Sequence, residues 1–494
     1  MAKNAIVILT DSLNRHFLPM YGNTWVKTPN MDRLAERGVV FEQHHTGSAP
    51  CMPARRDLWT GNIEFPWRHW GSCETFDEHL GALCAKKGVP SHMVTDHYHY
   101  WERGGSNYLE QFDGCDFIRG HENDYQVSDP CVDLKAIPEE VRNRGRNHAQ
   151  HLRNCTRLKT ESDYWSPQVF ETASQWLDRN HAHGPFFLAV ECFDPHEPFN
   201  VPPPYDTMYG PHIPGETYWP GYGTADRYRP EVVERIRQFY AGKVTMVDAW
   251  LGRLLDRFDK YRLWDDTTIV FTTDHGHYLG EHNQVGKPTT YPWQTLFHIP
   301  LVIHEPGAPE GARSAALSTH VDVNATVADA LGLERRRPGH GRTLLPVVRG
   351  EQKKVRDWTV MGFWGECFGI SDGRWKLHQA PVRGNRPLAA YGRDLVTAPF
   401  MLDVPLTDEL TVGDYMPQAG MPVSRQPGAS RWTGRSGASH DGAPSLLFDT
   451  AADPGEERDL LAARPEEAKR MRALLSSALE ELGAPAEQKE RLGL

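Results

Sequence analysis

Three short apolar runs stop on residues able to do chemistry. Ala5-Ile-Val-Ile-Leu-Thr10 ends at Asp11, Pro185-Phe-Phe-Leu-Ala-Val-Glu-Cys192 runs into Phe193-Asp-Pro-His196, and Thr267-Thr-Ile-Val-Phe-Thr-Thr273 ends at Asp274-His275. Runs of this length without polar alternation fit strands buried on both faces of a parallel sheet. Between them the apolar spacing turns helical. Thr28 to Gly38 begins with a capping Thr and an early Pro and ends on Gly, and longer amphipathic stretches cover 168–180 and 230–261. Strands alternating with helices predict an α/β fold with a large, mainly parallel sheet, whose ligands bind beyond the carboxyl ends of the strands.

The pattern changes after Leu345. Trp358 to Lys376 reads as antiparallel strands turning at Ser371-Asp-Gly373, 416–445 as a long Gly, Ser, Pro and Arg-rich loop, and Pro465 to Leu482 as an amphipathic helix stopped by Gly483. A chain of 494 residues exceeds what one core holds. We therefore expect a catalytic α/β domain over 1–350 and a smaller C-terminal α+β domain with an antiparallel sheet over 351–494.

Composition narrows the partners. The net charge of −11, with no basic run, excludes an electrostatic footprint for nucleic acid or an anionic membrane. The first apolar run is too short for a membrane span or a signal segment, which predicts a cytoplasmic protein. Most of the eight cysteines, without C-x-x-C spacing, read as reduced thiols. The 24 histidines are more informative, because Asp96-His-Tyr-His99 and Asp274-His-Gly-His277 cluster them beside carboxylates, a composition suited to a metal or an anion.

Candidate chemistry centres on Cys51-Met-Pro-Ala-Arg55-Arg-Asp-Leu-Trp-Thr60-Gly61. Pro53 suits the first turn of a helix, placing Cys51 at its N-terminus, where free N–H groups favour an anion and Arg55 on the next turn can neutralise one. This segment resembles the signature of the sulfatase family, in which the cysteine is oxidised by a maturation enzyme to formylglycine. The resemblance extends over most of residues 5 to 346, through Asp11, Asp274-His275, Asp194-Pro-His-Glu-Pro-Phe199, Lys287 and the framework pieces Met20-Tyr-Gly-Asn23 and Thr319-His-Val-Asp322. Beyond it, Gly373-Arg-Trp-Lys-Leu377 and Leu447 to Glu456 are similar to the strand and turn that end sulfatase chains.

The resemblance implies an alkaline-phosphatase-like fold and a sulfuric ester hydrolase of the arylsulfatase type. It implies one divalent ion held by Asp11, Cys51 as formylglycine, Asp274 and His275, with Ca²⁺ expected first and Mn²⁺ or Mg²⁺ as alternatives. It also implies that Arg55 and Lys287 offset charge on the ester, that His196 contacts the ester or protonates the leaving alcohol, and that a geminal hydroxyl of the hydrated aldehyde attacks in line. The expected partners are a small-molecule or carbohydrate sulfate ester and a formylglycine-generating maturation enzyme; a homo-oligomer stays open.

Two departures matter. Ser12 stands where many sulfatases have a second aspartate, and Thr95-Asp-His-Tyr-His99 replaces the usual lysine segment, leaving His97 or His99 as substitute anion contacts. Tyr98, Tyr100, Trp101 and the 416–445 loop are candidates for lining the leaving-group pocket. Phosphonate monoester hydrolases of the same superfamily are similar in metal shell, so phosphonate or phosphodiester cleavage is the alternative activity; a non-catalytic metal-binding homologue is the second.

Overall fold

The central layer is an eight-stranded sheet built from β1 (Asn4–Thr10), β2 (Val39–His45), β3 (Ser91–Thr95), β4 (Gly114–Phe117), β5 (Phe187–Cys192), β6 (Thr267–Thr273), β7 (Leu301–His304) and β8 (Ala312–Thr319). A computed structural model of the protein describes residues 2–102, 105–128, 145–211, 219–393, 409–427 and 442–494. The strand order is β8-β2-β7-β6-β1-β5-β3-β4, and only β7 runs antiparallel to its neighbours β2 and β6. The mainly parallel α/β reading is therefore what the chain adopts.

The unbroken apolar runs follow from burial on both faces. Ile6 and Ile8 of β1 join one core with Phe170 and Leu177 of α3 (Trp165–Asn180) and Val244 and Leu251 of α4 (Pro230–Tyr261). Ala5, Val7 and Leu9 point the other way, into a core with Met52 and Trp59 of α2 (Cys51–Thr60) and Val323 and Val327 of α5 (His320–Ala330). The helix α1 (Pro29–Arg37) packs beside α4, its N-terminal amides donating to buried Asp248. No described helix is long and apolar enough to cross a membrane.

Beyond the main sheet, Thr359–Gly362, Phe368–Ser371, Trp375–Gln379 and Leu446–Asp449 form a four-stranded antiparallel sheet, with the hairpin turning where Ser371-Asp-Gly373 predicts it. The helix α6 (Pro465–Glu481) covers it through Met471, Leu475 and Leu479. Two differences from the sequence reading appear here. Val423–Pro427 is a strand inside the stretch read as loop, paired with Ala389–Gly392 and Thr411–Gly413; its hydrogen bonds come from distant partners, which local periodicity does not reveal. Residues 428–441 of that stretch lie outside the described residues. After Gly483 a further helix, Ala486–Leu492, ends the chain, anchored by buried Arg491 donating to the Glu366 carbonyl and to Asn385.

Candidate active site

Register places the chemistry. Thr10 of β1 pairs with Thr273 of β6 and Cys192 of β5, so Asp11 and Asp274 emerge side by side at the carboxyl edge of the sheet. Ser12, at φ 63°, turns β1 sharply: its amide donates to Asp274 Oδ1 at 2.9 Å and its hydroxyl to Asp11 Oδ1 at 2.7 Å. Ser12 thus orients both carboxylates.

Opposite them sits the N-terminus of α2. Asp57, inside that helix, accepts the amide and hydroxyl of Ser48 at 2.8 Å each, which fixes the loop leading into the first turn, and Gly61 ends the helix at φ 71°. Cys51 is the first helical residue and its Sγ lies 3.2 Å from His275 Nε2. With the His275 Nδ1–H donating to the Gly276 carbonyl at 2.8 Å, Nε2 keeps its lone pair, accepts from the Cys51 thiol and lies 3.2 Å from Asp274 Oδ2.

Arg55, one turn along and fully buried, underlies the group. Its Nε donates to Glu191, Nη1 to Asp274 Oδ2, and Nη2 lies 2.9 Å from Asp11 Oδ2. The sequence reading had this guanidinium facing a bound anion; instead its nitrogens are committed to three carboxylates and the Cys51 carbonyl. Burial alone would lower its pKa, but Glu191, Asp274 and Asp11 outweigh that and hold it well above the usual arginine range.

The carboxylates answer differently. Burial, then Asp274, pushes Asp11 up, whereas at Asp274 His275 and Arg55 overcome burial and hold the carboxyl below the usual range. Burial takes His275 down to about 4 despite Asp274, leaving a neutral ligand. Cys51 is pushed up by burial and by Asp11, so its thiol stays protonated.

Ligand atoms of Asp11, Cys51, Asp274 and His275 all lie within 4.8 Å of one another, every one of these residues buried. Asp11 Oδ2 accepts no hydrogen bond. Two carboxylates, an imidazole and a fourth donor, with Asp11 Oδ2 in ion-pair contact but accepting no hydrogen bond, fit a divalent cation.

The other wall carries His196 and Lys287. The Asp194-Pro-His-Glu-Pro segment is clamped by α4, where buried Lys243 donates to the carbonyls of His196 and Pro198 at 2.6 Å each and pairs with Asp194 at 2.7 Å. His196 donates from Nδ1 to the Glu197 carbonyl and accepts at Nε2 from Lys287. Burial and Lys287 keep His196 neutral, while Lys287, despite burial, is held above the usual lysine range by Cys51, Glu197 and Asp11.

A family model described as Sulfatase matches residues 3–333. The chain belongs to the sulfatase family. The alkaline phosphatase superfamily protein PehA of Trinickia caryophylli, described as multifunctional, is 26% identical over 407 residues, 72% of this chain and 78% of that protein. Human iduronate 2-sulfatase is 26% identical over 354 residues, 62% of this chain and 60% of the relative. The crystal structure of a phosphonate monoester hydrolase of Agrobacterium radiobacter superposes with TM-score 0.68 and 22% identity over 97% of this chain and 95% of that one, which shows the shared fold.

Within this sulfatase-family fold, the residues singled out in the sequence, Asp11, Cys51, Arg55, Asp274 and His275, come together, with His196 and Lys287 in contact on the facing wall. His97 and His99 separate. His97 Nδ1 is 3.7 Å from Asp11 Oδ2 and neither ring nitrogen has a hydrogen-bond partner, whereas His99 pairs with Glu102 at 2.8 Å. Tyr100 is core, accepting from Trp59 at 3.2 Å, and Trp101 is exposed and stacked on Phe117. Sequence reasoning missed Glu191 and Glu122, and named Glu197 and His277 only as members of their segments. Glu191 had a signal, a charge inside an apolar strand, which demands a buried partner; Glu122 had none.

Proposed function

We propose that the protein hydrolyses sulfate esters, using Cys51 after its oxidation to formylglycine and one divalent ion held by Asp11, Asp274, His275 and the modified Cys51. The observation that carries this reading is the convergence of the α2 N-terminus with Asp11, Asp274 and His275. The hydrated aldehyde and the ion together supply a nucleophilic hydroxyl at neutral pH. Ca²⁺ or Mg²⁺ suits the carboxylate oxygens, and Mn²⁺ also accepts the imidazole of His275.

The chain's own groups divide the remaining work. Arg55 holds Asp11, Asp274 and Glu191 in place rather than touching the ester. Free N–H groups at the start of α2 and the charged Lys287 face the non-bridging oxygens, where preorganised charge is the largest catalytic contribution. His97, neutral and without a hydrogen-bond partner, is a further donor to them. Lys287 and His196 form a couple with one shared proton-bearing contact, so the departing alcohol takes its proton from that couple. Burial of every member excludes bulk water from these steps.

Phosphonate monoester or phosphodiester cleavage is the second reading, favoured by the imidazole in the ligand set and by Ser12 in place of a carboxylate. Turnover of matched sulfate and phosphodiester substrates by protein carrying converted Cys51 decides between them: faster sulfate release supports the first, faster diester cleavage the second. Cys51→Ala should abolish either activity while sparing the fold; a Cys51→Ala protein that still cleaves both esters contradicts the mechanism.

A further inference from the structure

One turn of α4 touches both walls of the active site. Tyr240 and Lys243 lie three residues apart, on one face of the helix, and both are buried. The Tyr240 hydroxyl donates to the Ser12 carbonyl at 2.6 Å and accepts the Asn14 amide at 2.7 Å, so one oxygen closes the turn that follows β1. Ser12 needs that closure, because its φ of 63° lies in the left-handed region that residues other than glycine rarely adopt. Through Ser12 the hold reaches Asp11 and Asp274. The Tyr240 ring also meets Phe199 of the facing loop edge-on at 5.7 Å. Lys243 spends its three N–H groups on that loop: one on Asp194 Oδ1, one on the His196 carbonyl and one on the Pro198 carbonyl. Asp194 is fixed in turn by His121 at 2.9 Å and by the Ser166 hydroxyl at 2.6 Å.

From this arrangement we propose that the Tyr240–Lys243 turn positions the two halves of the active site against each other: Tyr240 sets the ion-binding carboxylates by way of Ser12, and Lys243 sets His196 by way of the backbone at 196 and 198. Both are positioning residues, since the hydroxyl and the ammonium are spent on backbone groups and Asp194. The helix suits the task. Val244, Val247, Leu251 and Leu254 sit in the core shared with Ile6 and Ile8 of β1, so α4 cannot slide along the sheet without breaking close packing. Without the hydroxyl, the Ser12 carbonyl and Asn14 amide lose their buried partner and the turn that aims both carboxylates relaxes. Without the ammonium, the His196 and Pro198 carbonyls are released and His196 leaves its contact with Lys287. The Lys243 half rests on the sulfate-ester reading, in which that couple protonates the departing alcohol; the Tyr240 half rests only on the divalent ion.

Tyr240→Phe and Lys243→Met, each in the full chain carrying converted Cys51, test this by two readouts. One is Mn²⁺ affinity by electron paramagnetic resonance; the other is kcat on 4-nitrophenyl sulfate, whose leaving group needs no proton, against hexyl sulfate, whose leaving group does. Tyr240→Phe should weaken Mn²⁺ binding about tenfold, the effect of one buried hydrogen bond, and lower kcat on both esters alike. Lys243→Met should keep the wild-type Mn²⁺ affinity and lose about 10² or more in kcat on hexyl sulfate but under about tenfold on the aryl ester, the signature of impaired proton donation. Should Lys243→Met fail to fold, Lys243→Met combined with Asp194→Asn, which removes both charges of the pair together, takes its place. Wild-type Mn²⁺ affinity in Tyr240→Phe, equal losses on the two esters in Lys243→Met, or Mn²⁺ binding weakened equally in both variants overturns the proposal. Should the wild type turn over neither ester, the sulfate reading fails by itself; Mn²⁺ binding weakened in Tyr240→Phe alone then upholds the positioning, and unchanged binding overturns it.

Discussion

Two arginines in this protein each sit between three carboxylates, and they do different things. Arg55 faces Asp11, Glu191 and Asp274; Arg68 faces Glu64 at 2.5 Å, Asp77 through two nitrogens at 2.8 and 3.1 Å, and Glu74 at 3.4 Å. Around Arg68 the leftover acceptors are closed: Asp77 takes the Glu74 amide at 2.7 Å, Glu74 takes the Arg393 amide at 2.5 Å, and Glu64 takes Gln418 at 3.4 Å. Around Arg55 they are not, since Glu191 Oε2 and Asp11 Oδ2, the latter only an ion-pair neighbour of Arg55 at 2.9 Å, accept no hydrogen bond, and neither nitrogen of His97 makes one. Equal charge counts therefore mark neither group as functional. The surplus of unsatisfied donors and acceptors does, because a self-contained cluster only ties segments together while an open one needs a ligand to complete it.

Removing each cation should separate the two most strongly. Arg68→Met leaves buried, uncompensated acids and should cost about 3–5 kcal/mol in denaturant unfolding, with turnover per folded molecule preserved. Arg55→Met in metal-loaded protein should lose less stability, because the ion replaces part of the charge, but about 10²–10³ in kcat. Equal stability losses in the two would break the comparison.

Chelation acts on one cluster only. If the ion is present at 100 times its dissociation constant, its removal should lower unfolding stability by about 2.7 kcal/mol, an effect that Asp274→Asn abolishes and Asp77→Asn leaves intact. Thermal melts with and without chelator check this.

pH separates them again. Burial raises the Asp77 pKa, but Arg68 outweighs it and the folded value lies below the ordinary one. A depressed folded pKa contributes stability that is present above the unfolded value, about 3.9, and lost as pH falls through the folded one. The stability gap between wild type and Asp77→Asn should thus be full at pH 7 and close progressively below about pH 4. Asp11, raised by burial and Asp274, has the opposite sign in metal-free protein: ionising it costs stability as pH rises. A gap at Asp77 that widens in acid would contradict the assignment.

The smallest effects distinguish the two histidines. His97→Asn should lower kcat/KM by about tenfold, a hydrogen bond to a charged group, with little change in stability. His99→Asn loses only its pair with Glu102 and should cost no more than about 1 kcal/mol and leave KM alone.

Much of this was legible in the sequence. Unbroken apolar runs ending on Asp11, Asp194 and Asp274 gave the parallel sheet and its functional edge, because burial on both faces and the strand register act within each segment. Cys51 to Arg55 gave the helix N-terminus. What escaped depends on contacts between distant segments: the Ser12 clamp on two carboxylates, the commitment of Arg55 to Glu191, the choice of His97 over His99, and the pairing of Val423–Pro427. No periodicity encodes which side chain ends up without a partner.

The central claim is that Cys51 acts as formylglycine, and mass spectrometry of the Cys51 peptide, from protein co-expressed with a formylglycine-generating enzyme and assayed for sulfate release, tests it most directly. The account predicts the mass of the aldehyde in place of the thiol, with sulfate release proportional to the converted fraction. Full activity from protein whose Cys51 remains an unmodified thiol would contradict it.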